Sequence, residues 1–153
     1  MFEPDEYIFT KLAYYFKRKK KEKEKAILCA VNLTDIKPRL LILARAITGE
    51  SIEIYEAERE GGYKNANFFL PTRFVEFSSA EENISFYTFR VLYLSVQKNL
   101  DLNWNDNQEH ELLESQQKAA ETSKLVLDSL FEQFPVTEKY YNKFIHFFTE
   151  KRK

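Results

Sequence analysis

The sequence predicts a mainly α fold: a bundle of about five helices with a small two-stranded β element. Three observations predict it. Only 3 glycines and 4 prolines serve 153 residues, too few for the many tight turns of a sandwich or barrel. Apolar residues recur at helical spacing in most segments and alternate over one short stretch. Hydrophobic residues make up 44% and charged residues 31%, the balance of a chain that folds around a core. The length suits one domain over residues 1–153. With 14 Phe and 9 Tyr, that core is expected to be built on rings.

Pro4, Asp5 and Glu6 open the first helix. Proline fits a first turn, and carboxylates suit the positive end of the helix dipole. Ile8, Leu12, Tyr15 and Phe16 follow at helical spacing. The helix is expected to fade in "KRKKKEKEK", Lys17 to Lys25, which has no apolar face to bury. That basic run reads as a solvated helix extension or as a linker. Cys29, in "AILCAV", reads as a small buried hydrophobe. Leu33, Ile36, Leu40, Leu43 and Ile47 then mark a second helix. Thr34 is its expected cap, Asp35 lies in the first turn, Pro38 sits about one turn in, and Gly49 is the stop.

"SIEIYEAE", Ser51 to Glu58, alternates Ile52 and Ile54 with Glu53 and Tyr55, the period of a strand. Gly61-Gly62 breaks it. "NANFFLPTRFVEF" supplies a partner strand, which Pro71 marks as an edge or an extended connector. Ser79 and Glu82 have capping-box spacing. Behind them, Ile84, Tyr87, Val91 and Leu94 line one helix face, and Phe86, Phe89, Tyr93, Val96 and Leu100 another, so this helix is expected to be central. "LDLNWNDN" is a loop. Asn107 is the expected cap of a long helix that ends at Phe134 before Pro135. Thr137 starts the last helix, with Tyr140, Tyr141, Phe144, Ile145, Phe147 and Phe148.

Little in the sequence points to chemistry. One cysteine allows neither an intrachain disulfide nor a cysteine zinc site. The acidic "MFEPDEYIF" lacks the basic-then-apolar pattern of a signal peptide. No apolar run reaches the ~18 residues that span a bilayer. A cytoplasmic protein is therefore expected. There is no P-loop, no G-x-S-x-G and no H-E-x-x-H, so no enzyme and no cofactor are expected. His110 and Glu114 stand four apart and share a helix face. They form half of a metal or acid–base site or, more simply, a solvated pair, because zinc needs three or four ligands.

Charge is the stronger clue. Net charge is -1, which does not favour nucleic acid, yet the charges are segregated. Lys17, Arg18, Lys19, Lys20 and Lys21 form a basic patch, and Asp106, Glu109, Glu111 and Glu114 an acidic one. Patches of opposite sign suit protein association, self-association included. The alternatives are a small binder of nucleic acid or an anionic surface through Lys17–Lys25, or a metal protein using His110. Against the first, Glu22 and Glu24 interleave, and the run lacks the Arg-aromatic pattern of a base-stacking surface.

The stretch "AVNLTDIKPRLLILARAITGESIEI" resembles the N-terminal region of the NorD/CbbO-type activation proteins. The resemblance rests on Val31 and Leu33, Asp35 at the helix start, Arg39-Leu40, and Gly49 before Ile52 and Ile54. Leu70, Pro71, Arg73 and Phe77 are similar to that family's positions before a long helix, inside which Tyr87 then lies. The likeness covers roughly Ala30 to Leu100 and contains no catalytic motif. It implies work beside a hexameric MoxR-type AAA+ ATPase, coupling the ATPase to a target enzyme. The family's C-terminal von Willebrand factor A domain carries a D-x-S-x-S motif, which "FSSAE" and "LDSLF" do not match. The chain is therefore expected to correspond to the N-terminal helical region alone, with docking and no chemistry of its own as the implied role.

Overall fold

A computed structural model describes residues 4–58, 61–102 and 111–152. In chain order they form α1 (Pro4–Cys29), β1 (Val31–Asn32), α2 (Leu33–Thr48), β2 (Glu53–Ala57), β3 (Gly62–Lys64), β4 (Asn67–Pro71), β5 (Arg73–Phe74), α3 (Ala80–Asn99), α4 (Leu112–Gln133) and α5 (Val136–Arg152). The protein is mainly α with a small β component, as the sequence predicts. The β component is richer than a strand pair: β2, β4 and β3 form one sheet, β1 and β5 another.

The basic run does not end the first helix. Lys, Glu and Ala are good helix formers, and α1 continues through them to Cys29. Strand pairing, not Thr34, sets the start of α2. Val31 and Asn32 pair antiparallel with Phe74 and Arg73, and the Leu33 N–H donates to the Thr72 carbonyl at 2.9 Å. Asn32 is the cap residue and makes no side-chain cap bond. Gly49 ends α2 in the left-handed conformation, φ 68°, its N–H donating to the Arg45 carbonyl. Leu33, Ile36, Leu40 and Ala44 form the buried stripe, while Leu43 and Ile47 lie at its margin.

β4 is the middle strand, parallel to β2 and antiparallel to β3. Pro71 thus does not mark an edge strand. It is the last residue of a central one, opposite Ala57, where a missing N–H costs the ladder least. Ile52, Ile54, Phe68 and Leu70 are all fully buried.

Gly61 makes an unusually close backbone approach: a Cβ there would lie 2.3 Å from the Phe69 carbonyl oxygen, whereas one on Gly62 would meet nothing within 4 Å. G61A should accordingly lower stability by about 1–3 kcal/mol, the range for forced overpacking, and G62A by clearly less. Chemical denaturation of the two variants checks this.

α3 is central, packing against α2, α4, α5 and β4. The Ser79 Oγ accepts the Glu82 N–H at 3.1 Å, the expected cap. The Glu82 carboxylate does not close the reciprocal half of the box; it pairs with Lys143 of α5 at 3.2 Å. Tyr87 is fully buried, and its hydroxyl donates to the Pro71 carbonyl. Burial, with Glu56 adding to it, pushes the Tyr87 pKa up to about 12. α4 starts at Leu112 with Glu111 as its cap residue; Asn107, the expected cap, lies outside the described residues.

An aromatic seam fixes α5. Phe77 lies within 4.6 Å of the Phe147 ring and 5.2 Å of Phe144, centroid to centroid. Phe74 and Phe86 stack nearly parallel at 4.0 Å.

Candidate functional site

The basic patch sits on a helix that is unburied over four turns. Every residue from Thr10 to Glu24 is exposed, a length of about 22 Å at helical rise. Leu12, Tyr14, Tyr15 and Phe16 are 48–70% exposed, so three residues of the apolar stripe read from the sequence, Leu12, Tyr15 and Phe16, face solvent. Lys17, Arg18, Lys19, Lys20 and Lys21 follow at once. Five consecutive residues turn through more than a full circle, so cations surround this part of the helix. Lys19 Nζ lies 5.2 Å from the Tyr15 ring centroid, and Arg18 pairs loosely with Glu22 at 3.7 Å.

α1 is anchored at its C-terminal end. The Asn83 Nδ2 of α3 donates to the Cys29 carbonyl at 2.7 Å, and the Cys29 thiol donates to the Ser78 carbonyl at 2.9 Å. Cys29 is half-buried rather than buried.

The acidic patch is only partly placed. Glu111 and Glu114 are exposed at the start of α4, where negative charge complements the helix dipole. Asp106, Glu109 and His110 lie outside the described residues. Among the described residues no group of three or more His, Cys, Asp or Glu could hold a metal ion, and no helix is long and apolar enough to cross a membrane.

A second feature is a cavity of about 590 Å³ walled by Gly61, β3, β4, α3 and α4. Arg90 of α3 enters its wall with the guanidinium carbon 5.8 Å from the Tyr93 ring centroid. Desolvation lowers the Arg90 pKa, and Tyr93 partly offsets this. Burial raises the Tyr93 pKa, Arg90 pulls it down and Tyr141 pushes it up. Tyr63 lines the same cavity. Its hydroxyl is buried without a hydrogen-bond partner among the described residues, and burial, then Asp101, pushes its pKa up to about 12.

No protein-family model, curated protein or solved structure matches the chain.

The sequence shows the charge of Lys17–Lys21 but not that the side chains from Thr10 to Glu24 are exposed. Arg90 and Tyr63 carry no motif. The only local signal near them is the Gly61-Gly62 pair, which reads equally well as a strand break.

Proposed function

We propose that this chain is a non-catalytic protein-interaction domain of a NorD/CbbO-like activation protein. It docks a MoxR-type AAA+ ATPase to a target enzyme in the cytoplasm, and α1 is the docking element. One observation carries the docking role: a helix exposed from Thr10 to Glu24 displays Leu12, Tyr14, Tyr15 and Phe16 directly beside five consecutive cations. Aromatic residues are enriched at protein interfaces and dominate their energetics. A helix laid into a groove is a common way to use them. The cations select an acidic partner surface and speed encounter. The sequence resemblance over Ala30 to Leu100 is what points to the ATPase.

The test is size-exclusion co-elution with a MoxR-type ATPase in the presence of nucleotide, using the parent chain and the K19E/K20E/K21E variant. Co-elution of the parent is expected to weaken with salt. The variant should bind at least about tenfold more weakly, as loss of a complementary charge patch implies, while its circular dichroism is unchanged. Separate elution of parent and ATPase overturns the assignment. A parent that dimerises alone would make a second copy the occupant of α1. Low-salt binding to single-stranded DNA or anionic vesicles, lost in the variant, would make α1 an electrostatic surface binder instead.

A further inference from the structure

We propose that the cavity walled by Gly61, β3, β4, α3 and α4 binds a small organic anion, an oxyanion head on a planar apolar body, with Arg90 as its anchor. The site is separate from α1 and does not depend on the docking role.

Arg90 is the first reason. Its guanidinium lies in the cavity wall against Tyr93, and among the described residues no carboxylate pairs with it. Keeping a desolvated cation is costly unless an anion pairs with it, and a bound anion would do so. Stacking on an aromatic face orients the guanidinium fork, whose N–H groups match the two oxygens of a carboxylate or phosphate. Lys118 of α4 also lines the cavity and adds positive charge to it, whereas Lys98 is not in the lining and is held by Glu50 at 3.2 Å and by the Asn65 carbonyl at 2.9 Å.

The surroundings provide the second reason. The absent Gly61 side chain leaves main chain near the guanidinium; a Cβ there would stand 3.7 Å from Arg90 Nη2. The Tyr63 hydroxyl is an unpartnered polar group in the same wall, and a buried donor left unpaired costs free energy until something satisfies it. Leu94, Leu102 and Ala119 offer apolar contact, and Gln97 and Ser115 can bond polar substituents. Asp101 acts on Tyr63, which favours the Arg90 side for the negative head. The volume falls within the roughly 300–1,000 Å³ typical of small-molecule sites.

The experiment titrates the isotope-labelled full chain with phenyl phosphate, phenylacetate and inorganic phosphate, following the Gly61 and Gly62 amides and the Arg90 Nε–H by NMR. A ring-bearing probe is expected to shift these signals with a Kd of about 1 mM or tighter, a range accessible to small fragments. Whether phenyl phosphate or phenylacetate binds more tightly identifies the head. R90Q should weaken binding by about tenfold or more, and R90K, which keeps the charge but loses the fork, by less. R90Q should melt no lower than the parent, because it breaks no ion pair seen among the described residues; if it does not fold, R90K is read in its place. The proposal is overturned if no probe shifts these signals at about 10 mM. It is equally overturned if the folded arginine variant, R90Q or R90K in its place, binds as well as the parent.

Discussion

Replacing Asn83 by alanine will lower folding stability by about 3 kcal/mol, through buried backbone groups left without partners. Asn83 is fully buried on α3. Its Oδ1 accepts the Phe77 N–H at 3.0 Å, and its Nδ2 donates to the Cys29 carbonyl at 2.7 Å and the Phe77 carbonyl at 3.3 Å. One side chain therefore ties the end of α1 and the approach to α3 to the central helix. Each stranded group costs roughly 1–3 kcal/mol, and the chain relaxes only in part. The loss should be visible as a lower denaturant midpoint. Alkylation of Cys29 should also quicken, because its thiol is held against the Ser78 carbonyl at the same junction. A loss below about 0.5 kcal/mol, the scale of an ordinary surface substitution, would mean that Asn83 does not hold the junction.

Phe77→Ala should cost about 4 kcal/mol, within the range for deleting a buried aromatic side chain. Phe77 is 3% exposed, and its ring neighbours are Phe74, Phe86, Phe144, Phe147 and Phe148. Three of these belong to α5, so the loss should be uneven. Amides of α5 should lose exchange protection well before those of α3. Domains are stable by only about 5–15 kcal/mol, so F77A can be left with as little as about 1 kcal/mol. F77L, which keeps much of the volume, then serves as the graded variant. Equal loss of protection in α3 and α5 would show that the seam is not what holds the last helix.

What could be read from the sequence was local. Ser79 is legible as a cap because the group it satisfies is three residues away. Ile52 and Ile54 are legible because alternation is a local pattern. The central place of α3 follows from its apolar circumference. What depends on distant partners could not be read. Nothing in Asn67–Pro71 says that it lies between two strands, and Pro71 argues the other way. Asn83 looks like any polar residue in a first turn, and Glu82 looks committed to a capping box until Lys143 arrives from α5. At the candidate sites the limit is the same. Lys17–Lys21 are visible as charge, but the exposure of the whole stretch from Thr10 to Glu24 is a tertiary property. Arg90 becomes interesting only once Tyr93 and Gly61 are beside it.

The most direct test of the central claim is hydrogen–deuterium exchange of this chain with and without a MoxR-type ATPase and nucleotide. Docking through α1 predicts slowed exchange across residues 10–24, with protection in the core of α3 unchanged. Unchanged exchange over 10–24 while the ATPase protects another surface, or no protection anywhere, would contradict it.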